Sequence, residues 1–452
     1  ETVTKQIKQI QQGGLRRRIA LGTAGARSGL GLLSSRASGL FVPKDKQQAH
    51  NDAALEREAL RFVAYLGELK GAYVKIGQML ALYGEHILPK PITQALHTLE
   101  DQTSALQWDT IKPSLQQDLG ESFNELEIKH DAFAAASLAQ VHRATATQEG
   151  IDLALKVQYP GIAQAIDGDF DSVIAMLKLS RWLKTGREVE QFTQDLKALL
   201  KQEVNYTLEL QRLQKFEELL ADDPVLRVPK VYPQWSSPKC LAMEYVEGYS
   251  VTDPKVQNLS QERRNALAEA MLRLFFKEVF EWNTMQTDPN FGNFRIELDE
   301  ENGDRLVLLD FGAVHDLPEK FTHPLRRAIV AAHEQQHAPL IDALIEINCL
   351  RKSDSKAVKE SFAAFCCFII EPFRTDFDDI PQHAHEGRLY VWRDSRLLRR
   401  AGKVGSKSVL LKGFVLPPQE FMLLVRKLTG VFTFVSCLGA KINSSQLIEQ
   451  QR

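Results

Sequence analysis

The 452-residue sequence has little of what marks thiolate-metal, membrane-spanning or nucleic-acid-binding proteins. Its five cysteines show no Cys-x-x-Cys or Cys/His spacing, so we predict structural thiols in a reducing compartment. An uncharged apolar run of about 18 residues, the length needed to cross a bilayer, is absent. The nearest stretch, 421–440, carries Arg426 and Lys427 and predicts a buried or partly buried helix. The formal net charge of −2 does not favour nucleic-acid binding.

Acidic residues are missing between Glu1 and Asp45, a segment that carries eight basic residues. They include Arg16-Arg17-Arg18, beside a run of small residues at 22–39. Three interpretations stay open: a targeting presequence, an arm on a membrane surface, and a disordered tail. We predict residues 1–44 to be a basic, small-residue arm that is flexible or membrane-facing.

Hydrophobic periodicity divides the rest of the chain into three parts. Residues 45–122 are predicted as a helical extension, with helical patterns at 53–83 and 108–119 and interruptions at Pro89 and Pro91. Residues 123–247 are predicted as a lobe with an antiparallel meander, two long helical patterns and two further strands. The predicted strands are 125–128, 138–146, 151–157, 228–232 and 240–245, and the helical patterns are 162–183 and 189–220.

Residues 248–452 are predicted as a mostly helical lobe after a linker at Glu247-Gly248. A small sheet-plus-helix lobe joined to a helical lobe is an α+β architecture, and the sequence places its chemistry near the join. A chain of this length is expected to form two or three lobes rather than one core.

Two polar motifs in the helical lobe carry that chemistry. Asp288-Pro-Asn-Phe-Gly-Asn293 (the Asp288 loop, residues 288–293) precedes Leu309-Asp310-Phe-Gly-Ala313 (the Asp310 loop, residues 309–313). In phosphoryl-transfer enzymes an Asp orients the attacking hydroxyl, and an Asn five residues later reaches a magnesium ion. The Asp of Asp-Phe-Gly holds the metal that bridges the phosphates. The order and spacing therefore predict a magnesium-nucleotide site.

Lys156 lies in the apolar segment Leu153-Ala-Leu-Lys156-Val. A buried ammonium needs a counter-charge, whereas a lysine on an edge strand can reach water along its aliphatic stem. From this segment alone both interpretations stay open. In the functional one, Lys156 contacts the nucleotide α- and β-phosphates and pairs with a glutamate of the next long helix. Glu203 and Glu209 are the candidates, and Glu209 is our predicted partner.

Glycine is missing where a kinase has its phosphate loop. The segment 133–142 carries the run Ala134-Ala135-Ala136-Ser137 instead. Alanine takes positive φ poorly, and alone such a run is more typical of a small-residue packing surface. Its position just before the Lys156 strand favours a phosphate loop.

A long activation segment and an Ala-Pro-Glu element are also missing, since the next helical pattern begins near Phe321. A protein substrate would lack its usual platform. This absence points toward a small-molecule acceptor, or toward hydrolysis with no phosphorylated acceptor.

These motifs resemble the UbiB/aarF-domain (ADCK-type) family of atypical kinases, which includes proteins needed for ubiquinone biosynthesis. The resemblance runs from Leu60 through the C-terminal helices in the family's order. The matching motifs are Lys75-Ile-Gly-Gln78, Ala134-Ala-Ala-Ser137 with Gln140-Val-His142, Lys156-Val-Gln-Tyr-Pro-Gly161, Gln286-Thr-Asp288-Pro-Asn-Phe-Gly-Asn293 and Leu309-Asp310-Phe-Gly-Ala313.

The resemblance implies a protein-kinase-like two-lobe fold with an N-terminal helical extension that carries Lys-x-Gly-Gln over the active site. It implies ATP or ADP with Mg²⁺ as the ligands. The implied catalytic residues are Asp288, Lys156, Glu209, Lys75 and Gln78, with Glu203 as a further site residue. The implied nucleotide-binding residues are Ala135, Ala136, Ser137, Gln140, Lys156, Glu244 and Val246, and the implied metal ligands are Asn293 and Asp310.

Two positions depart from the family pattern. Its Glu-x-Asp motif is Glu203-Val-Asn205 here, and an amide cannot hold a formal ion pair. Any coupling of Lys75 to that helix would then rest on Glu203. Ala139 stands where the family usually has glycine, which restricts the phosphate loop further.

The resemblance implies a Mg-nucleotide-dependent ATPase or a small-molecule or lipid kinase that supports ubiquinone (isoprenoid quinone) biosynthesis. An alternative from another class is a nucleotide-regulated lipid-binding scaffold whose hydrolysis is incidental. A protein kinase ranks third, because the Lys-x-Gly-Gln helix occupies the place of a peptide substrate.

The expected partners are a small-molecule or lipid quinone precursor and a membrane surface, contacted peripherally through residues 16–41 or 421–440. No nucleic-acid partner is expected, and a homodimer stays open. The expected location is the cytoplasmic or matrix side of a membrane, with organism and organelle undetermined.

Overall fold

The structure is a computed structural model that describes residues 6–7, 47–84, 87–99, 105–183, 186–409 and 417–452. Apart from residues 6–7, the arm predicted for 1–44 lies outside the described residues. The chain forms two compact units: unit 1 is Glu1–Arg212 with Lys230–Tyr245, and unit 2 is Leu213–Pro229 with Val246–Arg452. The boundaries predicted at 44, 122 and 247 stay predictions.

Unit 1 combines seven helices with a small sheet, counting the described residues and numbering elements along the chain. Its helices are α1 (Gln47–Leu69), α2 (Ala72–Tyr83), α3 (Lys90–Leu96), α4 (Trp108–Leu119), α5 (Ile162–Leu179), α6 (Arg187–Glu203) and α7 (Tyr206–Leu219), the last of which continues into unit 2. Its strands are β1 (Gln6–Ile7), β2 (Ala105–Leu106), β3 (Leu126–Ala135), β4 (Ala139–Ala146), β5 (Ile151–Gln158) and β7 (Cys240–Glu244).

The meander predicted for residues 125–157 is confirmed. Strands β3, β4, β5 and β7 form one antiparallel sheet in that order. Gly150 makes the turn between β4 and β5 with a φ of 67°, a conformation that costs glycine little. Buried side chains on one face of the sheet join helices α1–α6 in a single hydrophobic core.

The predicted helix at 53–83 is wrong in one respect, because the structure breaks it into α1 and α2. Lys70 and Gly71 both take positive φ, 55° and 59°, which ends the first helix. Pro89 and Pro91 also play a different part from the one predicted. They begin α3 rather than merely interrupting the pattern, with Pro89 as its N-cap residue and Pro91 in its first turn.

Three further boundaries differ from the sequence prediction. The helix predicted at 162–183 ends at Leu179, and the one predicted at 189–220 is the two helices α6 and α7. The strand predicted at 228–232 is wrong: the strand lies at Leu226–Arg227, and only an isolated bridge joins Val231 to Met243. Pro229, which has no N–H for a ladder, stands inside the predicted run.

Unit 2 is mostly helical, with three small sheets within the described residues. Its helices are α8 (Pro254–Gln257), α9 (Gln261–Phe276), α10 (Glu319–His333), α11 (His337–Glu346), α12 (Lys356–Ile369), α13 (Trp392–Ser395), α14 (Leu397–Val409), α15 (Gln419–Leu438) and α16 (Ser445–Glu449). Its strands are β6 (Leu226–Arg227), β8 (Thr284–Gln286), β9 (Phe294–Glu297), β10 (Arg305–Leu308), β11 (Val314–Asp316), β12 (His385–Glu386), β13 (Leu389–Val391) and β14 (Lys441–Ile442). The predicted α+β class is confirmed.

Helix α15 is the apolar stretch that the sequence predicted to be buried or partly buried. By length and composition it could cross a bilayer, and it is the one such helix in the part of the chain that the structure describes. Half of its apolar window is nevertheless buried within unit 2. The prediction of a partly buried helix is therefore confirmed.

The cysteines are free thiols, as predicted. Cys240 and Cys349 are buried, and burial raises the pKa of both thiols. A thiol held in its neutral form is a poor nucleophile and a poor metal ligand. These two cysteines therefore have the character of core residues.

Candidate active site

Lys156 pairs with Glu209 inside unit 1, as predicted. Lys156 lies in β5 between Val141 of β4 and Leu241 of β7, so it occupies a central strand. Its Nζ lies 2.7 Å from Glu209 Oε1, and the two side chains are 19% and 2% exposed. The edge-strand interpretation is therefore wrong. The buried carboxylate holds the ammonium in one place, which is what a phosphate-binding lysine requires.

Asn205, the departure from the family's Glu-x-Asp pattern, caps the helix that carries Glu209. Its Oδ1 accepts a hydrogen bond from Leu208 N at 3.2 Å, at the start of α7. Asn is as good an N-cap residue as Asp. The amide therefore keeps the local structural role, and the break between α6 and α7 follows from it.

The alanine loop is shorter than predicted, because β3 extends to Ala135 and β4 begins at Ala139. Ala136 N donates to Ala139 O at 2.8 Å, and Tyr159 OH donates to Ala136 O at 3.0 Å. Every residue from 133 to 142 has negative φ. This hairpin thus needs no glycine, and its backbone is tied to the chain just after Lys156.

Gln140 is committed to a buried structural contact. Its side chain accepts from Leu106 N at 2.7 Å and donates to Leu106 O at 3.2 Å. It also lies 2.8 Å from His142 Nε2, and Lys129 O lies 2.9 Å from His142 Nδ1. The carboxamide is therefore occupied away from the hairpin tip. The nucleotide roles of Ala135, Ala136, Ser137 and Gln140 stay predictions.

The buried His142 predicts an acid-sensitive fold. Burial lowers the pKa of His142 below its ordinary value of 6.5, and its two partners suit the neutral ring. The unfolded chain then binds the proton first, so stability is complete above the unfolded pKa and falls as pH drops below about 6.5. We expect the free energy of unfolding to decline over that window. In His142→Gln the decline should be smaller, and equal slopes for both proteins would contradict the assignment.

The Lys-x-Gly-Gln helix, α2, presents Lys75 and Gln78 three residues apart on one face. Lys75 Nζ lies 2.5 Å from Glu203 Oε2, so the coupling expected to rest on Glu203 is present. Gln78 Nε2 donates to Leu99 O at 3.5 Å. Between them, a Cβ on Gly77 would lie 2.3 Å from Leu99 Cδ1. An added side chain at this position would therefore displace the end of the Leu99 side chain.

Glu244 and Val246 lie at the end of unit 1 and the start of unit 2. Glu244 is the last residue of β7, pairs with Leu153 and accepts a hydrogen bond from Lys230 N at 3.1 Å. Their predicted contact with a nucleotide stays a prediction.

In unit 2 the Asp288 loop and the Asp310 loop lie side by side. The first connects β8 to β9 and the second connects β10 to β11. Because β8 pairs with β11 and β9 pairs with β10, the four strands bring both loops together. Thr287 N donates to Ala313 O at 2.8 Å, and Leu309 N donates to Asn293 O at 2.9 Å.

These contacts orient the three predicted oxygen ligands. Asn293 Nδ2 donates to Asp288 Oδ2 at 2.9 Å, so its Oδ1 is the end suited to a metal. Gly312 N donates to Asp310 Oδ1 at 2.8 Å and fixes that carboxylate. The ring of Phe311, fully buried, lies 4.3 Å from that of Phe216 and anchors the loop.

The donor set fits magnesium. Mg²⁺ takes hard oxygen ligands and is usually held by one or two carboxylates, waters and the phosphates themselves. Among the described residues there is no cluster of three His, Cys, Asp or Glu side chains that would form an all-protein metal cage. Asp310 and Asn293 would supply the protein's oxygen ligands to the metal.

Sequence reasoning missed the part of α15 that lies against the Asp288 loop. Arg426 Nη2 lies 3.5 Å from Asp288 Oδ1. Lys427 Nζ lies 2.7 Å from Glu278 Oε2, and Gly430 contacts Pro289. The signal was present: two cations in an apolar helix require partners.

Two features are typical of kinase-like phosphoryl-transfer proteins. One is a lysine–glutamate pair next to a tight hairpin, and the other is an Asp-x4-Asn loop beside an Asp-Phe-Gly loop. The ABC1 atypical kinase-like domain matches residues 98–344. The chain belongs to this family of atypical kinases, which confirms the resemblance stated from the motifs.

Relatives cover most of the chain. It is 28% identical over 411 residues to "Atypical kinase COQ8, mitochondrial" of Saccharomyces cerevisiae, covering 90% of this chain and 78% of that protein. It is 31% identical over 398 residues to "Atypical kinase COQ8B, mitochondrial" of Rattus norvegicus, covering 87% and 72%. A solved complex of Rv3197 with erythromycin, from Mycobacterium tuberculosis, has a TM-score of 0.60 at 24% identity, covering 90% and 98%. That likeness concerns the fold.

Proposed function

We propose that the chain is a Mg-nucleotide-dependent ATPase or small-molecule or lipid kinase that supports ubiquinone biosynthesis. The observation that carries the proposal is the pair of loops in unit 2. There Asp288 and Asn293 are hydrogen-bonded to each other, and the Asp310 loop lies alongside them. The Lys156–Glu209 pair of unit 1 supports it. The relatives named as mitochondrial COQ8 kinases support the pathway and a matrix-side location.

Each residue has a proposed role. Lys156, held by Glu209, would neutralise the α- and β-phosphates. Asn293 and Asp310 would hold magnesium, which would screen the phosphate charge. Asp288 orients a water or hydroxyl and accepts its proton as the oxygen bonds to the γ-phosphorus. The bond to the bridging oxygen breaks, and ADP leaves with the electron pair. Lys75 and Gln78 restrict the acceptor side.

A small acceptor is favoured by the short connection after the Asp310 loop. Strand β11 follows at Val314–Asp316, and α10 begins at Glu319, close to the predicted position. This connection leaves no length for a peptide-binding activation segment. We propose a quinone precursor or lipid as ligand, with peripheral membrane contact.

Removing the Asp310 carboxylate tests the metal assignment. Asp310→Asn should weaken Mg-ATP binding at least about tenfold, or about 1.4 kcal/mol, because a carboxylate ligand of the cation is lost. The measurement is a calorimetric titration of Mg-ATP and of ATP with chelator. Asp342→Asn removes an exposed carboxylate of the same unit and is the control. Equal Mg²⁺ dependence in Asp310→Asn and the parent would reject the assignment.

A nucleotide-regulated lipid-binding scaffold is the second candidate. It is favoured by the alanine hairpin, whose residues all avoid the left-handed conformation with which glycine loops approach phosphates. Thermal-shift assays with Mg-ATP and Mg-ADP measure binding, and phosphate-release assays with and without anionic vesicles measure turnover. Nucleotide binding together with lipid-stimulated phosphate release supports the enzyme, whereas binding with no such release supports the scaffold.

A further inference from the structure

Helix α15 packs directly on the Asp288 loop at several points along its length. Gly430 faces Pro289, and the Phe434 ring centroid lies 5.8 Å from that of Phe291. Phe434 also contacts Phe294, where the loop enters β9, at 5.7 Å between centroids. The loop that carries the proposed chemistry is therefore supported along one side by a single helix.

The closest approach is at Gly430. A Cβ placed there would lie 2.1 Å from Pro289 Cβ and 3.3 Å from Pro289 Cα. Contacts under 3.0 Å force a displacement, and a proline ring cannot swing aside as a long side chain can. Glycine in a helix interior is otherwise unfavourable by about 1 kcal/mol relative to alanine. Its presence here allows the helix backbone to touch the loop.

A buried ion pair lies one turn away on the same helix. Lys427 is 2% exposed and Glu278 is 0% exposed, with Nζ and Oε2 2.7 Å apart. Glu278 belongs to a π-helical turn, Lys277–Glu281, that follows α9. A buried pair is weak evidence for stability, because desolvating two charges offsets their attraction. The pair is therefore informative for the groups that it holds in place rather than for the stability of the fold.

Both members of the pair contact Gln286, and the Gln286 side chain contacts Asp288. Gln286 N donates to Glu278 Oε1 at 3.3 Å, and Lys427 Nζ donates to Gln286 Oε1 at 3.4 Å. Gln286 Nε2 then donates to Asp288 O at 2.7 Å. Gln286 is itself 3% exposed. Lys427 thus orients the carboxamide that holds the Asp288 backbone, and Glu278 holds the backbone of the same Gln286.

We propose that α15 is the positioning element of the Asp288 loop: Lys427 acts through Glu278 and Gln286, and Gly430 sets the distance of Pro289 from the helix. This inference rests on the proposed function, since it takes Asp288 as the group that orients the attacking oxygen. Lys427 and Gly430 are positioning residues, because they act on the reacting group through Glu278, Gln286 and Pro289.

Gly430→Ala is the sharpest test, with Gly402→Ala as its matched control. Gly402 lies in α14, and among the described residues no atom beyond the adjacent helix backbone comes within 4 Å of an added Cβ. A displacement of about 1 Å in a reacting group can lower the rate about 100-fold. We expect Gly430→Ala to lower kcat for phosphate release by about that factor. The Kd for Mg-ATP should be unchanged, and Gly402→Ala should match the parent in both.

A rescue variant separates positioning from general damage. Pro289→Gly removes the ring atoms that an added Cβ would strike. In the Pro289→Gly background, Gly430→Ala should therefore cost little further activity. If Gly430→Ala lowers kcat by the same factor in both backgrounds, the contact with Pro289 is not the cause, and the proposed role of Gly430 is overturned.

Lys427→Met tests the second route, with Arg400→Met as its control. Arg400 pairs with the buried Glu371 in the same unit, and Tyr390 is the further partner of this carboxylate. Lys427→Met should lower kcat, whereas Arg400→Met should affect only the unfolding midpoint. The double variant Lys427→Met with Glu278→Met removes both buried charges and should regain stability without regaining kcat. Recovery of kcat together with stability would show that the pair is merely structural.

Amide hydrogen exchange tests the positioning role of α15 separately from the proposed function. Residues 284–293 should exchange faster in Gly430→Ala and in Lys427→Met than in the parent, Gly402→Ala or Arg400→Met. This readout needs no turnover. If the parent releases no phosphate from Mg-ATP, the proposed function fails while faster exchange still supports positioning. Unchanged exchange in both α15 variants overturns the positioning role whatever the activity.

Discussion

Asp288→Asn is expected to lower the rate of phosphate release by about 10²- to 10⁴-fold, the usual contribution of a general base. The amide has nearly the same shape as the carboxylate and can still accept the hydrogen bond that Asn293 donates at 2.9 Å. It cannot accept a proton from water or a hydroxyl. Affinity for Mg-ATP should be retained, because the proposed phosphate and metal contacts belong to other residues. Single-turnover phosphate release measures the rate, and calorimetry measures the affinity for Mg-ATP.

Two outcomes would count against this role. Equal rates for Asp288→Asn and the parent would show that Asp288 does not orient the attacking group. Loss of nucleotide binding along with turnover would show that the carboxylate maintains the loop instead. Asp222→Asn, which alters an exposed carboxylate of unit 2, is the control for the loss of one negative charge.

Lys156→Met is expected to reduce both stability and nucleotide affinity. Glu209 is 2% exposed, so losing the ammonium leaves its charge in a poorly solvated site. Removing one partner of a buried pair costs about 3–5 kcal/mol, and the partial exposure of Lys156 places the expected loss near the lower end. Urea unfolding measures the stability loss. Binding of Mg-ATP should weaken because the proposed phosphate contact disappears.

A second substitution separates the two effects. In Lys156→Met with Glu209→Met, stability should return toward that of the parent, because no charge is left buried. Nucleotide affinity should stay low, because the lysine is still missing. Arg143→Met is the control: the Arg143–Asp152 pair on the same sheet is exposed and should contribute at most about 1 kcal/mol. Full recovery of nucleotide binding in the double variant would show that Lys156 does not contact the nucleotide.

Local chemistry allowed much of the site to be predicted from the sequence. A lysine in an apolar strand pairs with a carboxylate unless the strand lies at an edge, and the structure provides the predicted partner, Glu209. An Asp-x4-Asn loop followed by a strand and Asp-Phe-Gly predicts adjacent loops, and hydrogen bonds such as Leu309 N to Asn293 O join them. In both cases the residue pattern indicates which side chains should lie nearby, and for Lys156 the structure decided between the two interpretations.

Helix boundaries were predicted less well because periodicity does not report backbone breaks. The apolar pattern continues through Lys70-Gly71, yet both residues take positive φ and end the helix. It also continues through Asn205, whose side chain caps α7. A capping bond or a left-handed residue changes chain direction without changing the hydrophobic pattern.

The amino-acid sequence by itself determined the family, the α+β class and the order of the motifs, because each depends on residue types at short or fixed spacing. It left Glu203 and Glu209 as candidate partners of Lys156, and the structure decided for the predicted one, Glu209. Only the tertiary structure decided what supports Asp288. Arg426, Lys427 and Gly430 follow it by more than 130 residues in the chain and reach it because α15 packs on its loop. Contacts between segments so far apart are set by packing, which no local pattern records.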